Sequence, residues 1–285
     1  MHAASTPGAD LHLHSAYSDG TFAPEEIVAQ SATRGVNPIA LTDHDTVAGL
    51  PEALQAGAER NVEVIPGVEL SAHAGHDERH ILGYFVRWQD PTFRALLHRL
   101  ESERRDRLHE ILRRLHRLGI SLLLSEVLAI AGHGTVGRLH VARALVGRGV
   151  VRDLDEAFTR FLAAGRPAYV ERTGLTVPEA IAAIRSADGL AALAHPGIAG
   201  LDRLPLLVEA GLQGIEVFHP SHTTEDIVTL TRAATRYDLV ITGGSDCHGH
   251  AKGEVRLGQV RLPLMYVERL RHAVASHPPH STPNT

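Results

Sequence analysis

The chain has 285 residues, a net charge of −5 and one cysteine, Cys247. This length allows one large α/β domain or one domain with an insertion, and 44% apolar with 21% charged residues excludes a disordered, collagen-like or coiled-coil protein. The acidic balance argues against stable duplex DNA binding, which depends on many contacts between basic side chains and phosphates. The single cysteine, the lack of a signal-peptide pattern and the lack of a membrane-spanning apolar run predict a cytoplasmic protein with no membrane partner.

The first 85 residues alternate short apolar runs with helical patterns. The predicted strands are residues 9–14, 36–42, 62–70 and 79–85, and the predicted helices are residues 24–33 and 50–59. The first helix begins with Pro24 and ends before Gly35, which is the usual arrangement of these residue types at helix ends. Strands and helices that alternate at this spacing predict βαβ units and a parallel sheet or barrel.

From residue 92 to about residue 186 the pattern changes to successive helices. They are predicted at residues 94–118, 123–131, 138–147, 154–164 and 178–187. The first has an apolar stripe, and its other face is rich in arginine mixed with acidic residues. That face indicates either a solvated helix surface or a surface that attracts an anionic substrate. We therefore predict an all-helical insertion over residues 91–185, with residues 1–90 and 186–285 forming the barrel.

The strand pattern returns after the insertion. Strands are predicted at residues 190–194, 214–218 and 239–242, with helices at residues 204–210 and 224–237 between them. The C-terminal residues 277–285 are rich in proline and polar side chains, and we expect them to be disordered.

Polar side chains that can bind metal ions follow most of the predicted strands. His12 and His14 are two residues apart in one strand, so they project to the same side. The other candidates near strand ends are Asp19, His44, Glu69, His195, Asp246 and His248. His80 is an exception because it begins its predicted strand, and it would have to lean towards the site. Since the carboxyl ends of parallel strands meet at one edge, these groups together predict a multinuclear metal site.

The chemistry of the donors narrows the choice of metal. Imidazole nitrogens and carboxylate oxygens suit manganese, iron, zinc or cobalt better than a thiolate-bound structural zinc. Cys247 lies between Asp246 and His248, so its side chain should point away from theirs. It is interpreted as a small core residue.

Six motifs together resemble the PHP (polymerase and histidinol phosphatase) phosphoesterases of the amidohydrolase superfamily. They are DLHLHSAYSDG, LTDHDTV, PGVELSA, HILGY, AHPG and GGSDCHG, and they extend over nearly the whole chain. The resemblance implies a distorted (β/α)7 barrel with three divalent metal ions, with Mn²⁺ expected and Zn²⁺ or Fe²⁺ also compatible. It implies a first metal on His12, His14, Glu69 and Asp246. Glu69 would bridge to a second on His80 and His195, and Asp19, His44 and His248 would hold a third.

Such a site would serve phosphoester hydrolysis. Bound metal ions generate a nucleophile from water near neutral pH and stabilise charge on the phosphoryl oxygens. The departing alcohol needs a proton, and His222 is the candidate general acid. Asp45 is a candidate for orienting His44 or handling a proton. For both residues, purely structural hydrogen bonding is the alternative.

The insertion indicates the substrate. Its G-R-x-H-x-A-R-x-L-V stretch, residues 137–146, resembles the PHP subgroup of 3′,5′-nucleotide bisphosphate phosphatases, whose related members are short 5′→3′ oligoribonucleases. The resemblance implies removal of the 3′-phosphate from a nucleoside 3′,5′-bisphosphate such as pAp. Arginine can hold phosphate with two hydrogen bonds. We expect Arg143 and Ser15 to contact the substrate phosphates, with His140 and Arg138 nearby. A surface role for Arg143 is the alternative.

Three other functions compete with this prediction. A histidinol-phosphate phosphatase would share the metal motifs, and only the insertion argues against it. A proofreading domain of a polymerase is disfavoured because 285 residues leave no room for a polymerase body. A catalytically silent module that binds metal or nucleic acid is disfavoured by the intact ligand set. The expected partner is thus a small nucleotide or a short RNA.

Overall fold

A computed structural model describes residues 7–74, 77–132, 134–171, 173–251 and 253–276. Within these ranges the strands are β1 Gly8–Leu13, β2 Val36–Leu41, β3 Val64–Ala74, β4 Asp77–Tyr84, β5 Leu190–Leu193, β6 Gly214–Phe218 and β7 Val240–Gly243. The α-helices before β5 are α1 Pro24–Arg34, α2 Leu50–Arg60, α3 Pro91–Arg117, α4 Leu124–Ala131, α5 Arg138–Gly147, α6 Leu154–Ala157 and α7 Val177–Ser186. After β5 they are α8 Leu204–Glu209, α9 Thr224–Arg236 and α10 Leu264–Ala275. The predicted disordered tail lies outside the described residues.

The seven strands form one sheet in the order of the chain. β1, β2 and β3 are parallel to one another, and so are β5, β6 and β7. Beyond β7 the chain returns to β1, where Leu13 forms a parallel bridge with Cys247 and Ala9 an antiparallel bridge with Leu262. These bridges draw the two ends of the sheet together. The arrangement confirms the predicted α/β fold with a distorted barrel.

The direction of β4 differs from the sequence prediction. β4 is antiparallel to both β3 and β5, whereas alternating βαβ units predict parallel neighbours. Only two residues of the sequence separate β3 from β4, and this explains the difference because parallel strands need a long crossover connection. The reversal places the beginning of β4 at the carboxyl edge of β3, where His80 pairs with Ser71. His80 therefore reaches the predicted site without any bend of the strand.

Helix α10 was not predicted from the sequence. Only Val267 and Leu270 are fully buried on it, so its apolar pattern is weak. Both side chains join a hydrophobic cluster that includes Leu11, Tyr84 and Leu190 from the strands. α10 thus contributes to the core of the barrel although its sequence resembles that of a surface segment.

The helical segment between β4 and β5 has a core of its own, but this core is shorter than the predicted insertion. A separate hydrophobic cluster contains residues only from 108 to 168. Phe93, Leu97 and Leu100 at the start of α3 pack instead in the barrel cluster, as do the buried residues of α7. Helix α3 therefore belongs to both cores. Among the described residues, no helix is long and apolar enough to cross a membrane.

Candidate metal centre

Glu69 lies at the centre of the predicted site. Its carboxylate is completely buried in β3. Its Oε2 atom lies 3.1–3.2 Å from ring nitrogens of three histidines, and its Oε1 atom lies 2.9 and 3.2 Å from those of two more. These histidines are His12, His14, His44, His80 and His195. Imidazoles from four different strands or their following loops therefore meet at one carboxylate.

Two aspartates extend the cluster away from Glu69. Oδ1 of Asp246 lies 3.3 Å from Nε2 of His14 and 3.5 Å from Nε2 of His12. Oδ1 of Asp19 lies 3.1 Å from Nε2 of His248. Asp246 has a backbone φ of 49°, a conformation that is uncommon for non-glycine residues and is often found at functional sites. The structure thus brings all nine predicted ligands to one edge of the sheet.

Three groups of these side chains could each hold a metal ion. The first contains His12, His14 and Asp246; the second contains His44, Glu69 and His80; the third contains His14, Asp19, His44 and His248. His14 and His44 each occur in two groups, and His195 lies outside them, although its Nε2 atom is 3.4 Å from Nδ1 of His80. The expected division of the ligands among three ions stays a prediction.

The donors in this cluster suit divalent metal ions. Both ring nitrogens of His14 and Nδ1 of His44 are buried and form no hydrogen bond of good geometry among the described residues, although Oε2 of Glu69 lies 3.1 Å from Nε2 of His14 and 3.2 Å from Nδ1 of His44. Buried polar atoms are normally paired because unpaired ones cost free energy. The nearby oxygens and nitrogens are the donors that manganese, iron and zinc prefer. Metal ligation would satisfy these atoms, so the residues fit the expected ions.

The charges of the cluster favour binding of cations. Burial alone would lower the pKa of His12, but the carboxylates of Glu216 and Glu69 raise it well above its ordinary value. For His14, Asp246 and Glu69 outweigh burial and raise the pKa to about 9. Burial acts to raise the pKa of Glu69, yet the surrounding histidines hold it well below its usual range. A divalent ion at this site would therefore displace protons from the imidazoles.

Glu216 supports the centre and was missed in the sequence. It is completely buried in β6. Its Oε1 atom lies 3.0 Å from Nδ1 of His12, and its Oε2 atom accepts the backbone N–H of His195 at 2.8 Å. A carboxylate can only accept here, so Nδ1 of His12 carries the proton and Nε2 faces Glu69. A charged residue in the middle of the short apolar strand GIEVF was the available signal.

Ser15 does not occupy the predicted position beside a substrate. It is completely buried. Its hydroxyl donates to Oδ2 of Asp43 at 2.6 Å and accepts the backbone N–H of Tyr17 at 3.1 Å. These bonds hold the loop that leads to Asp19. The observed bonds give Ser15 a scaffolding role, and its contact with a substrate phosphate stays a prediction.

Asp45 is placed to position neighbouring groups. Its carboxylate is buried, with Oδ1 accepting the backbone N–H of Ser71 at 2.8 Å and Oδ2 accepting Nε–H of Arg104 at 2.7 Å. Arg104 comes from α3 and also donates to the hydroxyl of Ser71 at 2.9 Å. Asp45 thus ties the loop of His44 to β3 and α3. This geometry favours the predicted orienting role over proton handling.

His222, the predicted general acid, is engaged by the backbone. Its Nδ1–H donates to the carbonyl of Val217 at 2.9 Å, and its Nε2 accepts the N–H of Gly197 at 3.3 Å. Both ring nitrogens are therefore bonded to main-chain groups, and the role of His222 as general acid stays a prediction. In the same FHPSH turn, Nε2 of His219 lies 3.7 Å from Oδ2 of Asp246.

A cavity of about 530 Å³ lies between the metal centre and the helical segment. At one side it is lined by four predicted ligands, namely Asp19, His44, His80 and His195. The opposite side carries Arg104, Arg107 and Arg138, together with the apolar side chains of Leu108, Ile111, Leu139, Leu154 and Phe158. Arg138 is ion-paired with Glu78, which also lines the cavity. Arginine side chains and an apolar wall therefore lie beside the predicted ligands.

Besides Ser15, two other predicted substrate-binding residues lie outside this cavity lining. Arg143 is half-buried and donates to the backbone carbonyl of Asp19 at 3.4 Å. His140 is buried, and its Nδ1 accepts the N–H of Gly137 at 3.0 Å at the start of α5. Burial lowers the pKa of His140 to about 4. Their contact with a substrate stays a prediction, and their observed bonds organise the start of α5 and the loop of Asp19.

Comparison with known proteins identifies relatives over most of the chain. A 3′,5′-nucleoside bisphosphate phosphatase of Chromobacterium violaceum is 36% identical over 263 residues, which are 86% of this chain and 88% of that protein. A 5′-3′ exoribonuclease of Haemophilus influenzae is 37% identical over 245 residues, 84% of this chain and 89% of that protein. A phosphoribosyl 1,2-cyclic phosphate 1,2-diphosphodiesterase of Eggerthella lenta is 37% identical over 246 residues, 84% of this chain and 94% of that protein.

The fold and a family model agree with these relatives. A crystal structure from Bifidobacterium adolescentis, described as a metal-dependent phosphoesterase, superposes with a TM-score of 0.86 at 30% identity and covers 93% of this chain and 96% of that chain. The model of the PHP domain matches residues 10–167. The chain therefore belongs to the PHP domain family.

Proposed function

We propose that this protein is a metal-dependent phosphatase that removes the 3′-phosphate of nucleoside 3′,5′-bisphosphates such as pAp and releases the 5′-monophosphate. The observation that carries the proposal is the cavity, which joins the metal centre to arginine side chains and an apolar wall. A nucleoside bisphosphate has two anionic groups and one flat aromatic base, and these three features of the cavity could accommodate it. The relative from Chromobacterium violaceum, which bears this activity in its name, supports the assignment.

The metal centre would provide the chemistry of hydrolysis. We propose three divalent ions, with Mn²⁺ expected and Zn²⁺ or Fe²⁺ compatible with the same donors. When bound, such ions activate water and stabilise negative charge on phosphoryl oxygens. Glu69 would hold ions through both of its oxygens, because histidines surround each oxygen at 2.9–3.2 Å. Glu216 would keep His12 in the tautomer that can ligate.

The helical segment would recognise the rest of the substrate. We propose that residues 91–185 act as a cap, with Arg107 and Arg138 offering hydrogen bonds to the 5′-phosphate. The guanidinium carbon of Arg107 lies 6.0 Å from the ring centre of Tyr169, and that of Arg138 lies 5.7 Å from it. The apolar side chains of the cavity wall would cover the base. Water is thereby excluded from the side of the nucleoside that faces the cap.

A 5′→3′ exoribonuclease acting on short RNA is the second candidate. It is favoured by the relative from Haemophilus influenzae, which carries that name at 37% identity. The two activities would use one arrangement, because in both a 5′-phosphate is bound and the neighbouring 3′ phosphoester is hydrolysed. In both reactions the leaving group would be the 3′-oxygen of the 5′-nucleotide, and in RNA the attacked phosphate would stay on the rest of the oligonucleotide as its new 5′-phosphate.

Phosphate release by metal-reconstituted protein tests the proposal. The substrates to compare are pAp, 5′-AMP, 3′-AMP, a 5′-phosphorylated dinucleotide and histidinol phosphate. We expect rapid turnover of pAp and slow turnover of 3′-AMP, because 3′-AMP lacks the 5′-phosphate that the cap would bind. Preferred turnover of histidinol phosphate, or no turnover of any nucleotide, would contradict the proposed substrate.

A further inference from the structure

His219 is a buried histidine whose hydrogen-bonding state is set by its own turn. It is 8% exposed and follows directly after β6. Its Nδ1 atom accepts the backbone N–H of Ser221 at 3.1 Å and lies 2.7 Å from the hydroxyl of the same residue. A backbone N–H can only donate, so the neutral ring carries its proton on Nε2.

The Nε2–H group of His219 faces the metal centre without a partner. Oδ2 of Asp246 lies 3.7 Å from Nε2, which is too long for a hydrogen bond. No atom within the described part of the chain satisfies this nitrogen. The ring centre lies 5.4 Å from that of His195 and 6.3 Å from that of His12. A buried donor is therefore held beside two predicted ligands by a rigid turn.

An unpaired buried donor normally marks a place for an acceptor from outside the protein. The proposed substrate brings phosphoryl oxygens to this centre, and these oxygens accept hydrogen bonds strongly because they are charged. We propose that His219 donates a hydrogen bond from Nε2 to an oxygen of the phosphoryl group that is hydrolysed. This inference rests on the proposed function and adds a phosphate-binding residue on the β6 side of the metal centre, opposite the arginines of the cap.

The test is binding of inorganic phosphate, the product of any phosphatase reaction, to the metal-loaded protein by calorimetry. For His219→Ala we expect phosphate affinity and kcat/KM for pAp to fall by on the order of ten- to a hundredfold, which is the usual worth of a hydrogen bond to a charged group. Metal content should stay unchanged. His219→Gln places an amide N–H near the position of Nε2, so it should retain most of the phosphate affinity and most of kcat/KM for pAp. This variant also tests the inference if the alanine variant does not fold.

Ser221→Ala is the matched control in the same turn. It removes the hydroxyl beside Nδ1 but keeps the backbone N–H that sets the tautomer, so phosphate affinity should stay close to that of the unaltered protein. Loss of metal from His219→Ala, with normal phosphate affinity once metal is restored, would overturn the inference, because His219 would then only orient Asp246. Equal phosphate affinity in all variants would also overturn it. Failure of the unaltered protein to bind phosphate or hydrolyse pAp would instead defeat the proposed function, and the inference with it.

Discussion

Glu216 determines which nitrogen of His12 is available to a metal ion, and its replacement should weaken metal binding. Both oxygens of its carboxylate accept from donors, the Nδ1–H of His12 and the backbone N–H of His195. In Glu216→Gln an NH₂ group replaces one carboxylate oxygen. This NH₂ group would then face either the Nδ1–H of His12 or the backbone N–H of His195, and two donors cannot form a hydrogen bond. We expect metal affinity to fall by roughly ten- to a hundredfold, as is usual when the partner of a ligating histidine is changed.

Titration with a competing chelator measures this loss of metal affinity. Glu225→Gln is the matched control. Glu225 is exposed in the first turn of α9, so this substitution makes the same change of charge away from the site. Its metal affinity should equal that of the unaltered protein. If Glu216→Gln also binds metal normally, the carboxylate does not set the state of His12.

At the scale of elements, Arg104 joins α3 to the loop of the predicted ligand His44 through Asp45. Arg104 lies four residues after Leu100, which packs in the barrel core, and four residues before Leu108, which packs in the helical core. It therefore interrupts the apolar face of α3. Its guanidinium is largely buried and bonded to the buried carboxylate of Asp45.

Arg104→Ala should leave the carboxylate of Asp45 buried without its cation. Breaking one partner of a buried ion pair typically costs about 3–5 kcal/mol, and we expect the free energy of unfolding to fall by roughly that amount, with a loss of phosphatase activity because the loop of His44 is released. Urea denaturation and kinetics with pAp measure the two effects. Arg105→Ala is the control. The neighbouring Arg105 is exposed and pairs with Glu101 at the surface, so the free energy of unfolding should change by no more than about 1 kcal/mol. Equal effects of the two variants would refute a special role for Arg104.

The residues of the site differ in how far the sequence alone could predict their positions. The convergence of the candidate ligands was predictable because strands alternate side chains at a period of two and bring their ends to one edge. His12 and His14 illustrate this. Arg104 was not predicted, although its position on the apolar stripe was a signal, because an arginine-rich helix shows many residues of the same type. Which histidine of the FHPSH turn has its Nε2 towards the metal centre depends on the path of that turn, and no periodicity in the sequence determines it.

At the scale of the whole molecule, the helical segment and the barrel have distinct hydrophobic cores. A variant that weakens one core should therefore affect that part of the protein more than the other. Leu145 of α5 is completely buried within the cluster of residues 108–168. Leu230 of α9 is equally buried within the barrel cluster. Replacing either leucine by alanine removes the same atoms from a helix, and such cavities typically cost about 2–5 kcal/mol. The two variants therefore differ in which core they weaken.

For Leu145→Ala we expect faster amide hydrogen exchange throughout residues 108–168, with the strands of the barrel still protected, because local opening follows cooperative units of packing. Metal content should be unchanged since every predicted ligand lies outside that segment, while KM for pAp should rise because the cap supplies the cavity wall. Leu230→Ala should instead increase exchange in the barrel strands. If Leu145→Ala instead increased exchange equally in the strands and in residues 108–168, the two cores would behave as one unit, coupled by α3, which packs in both clusters. Substrate binding and metal binding would then be lost together.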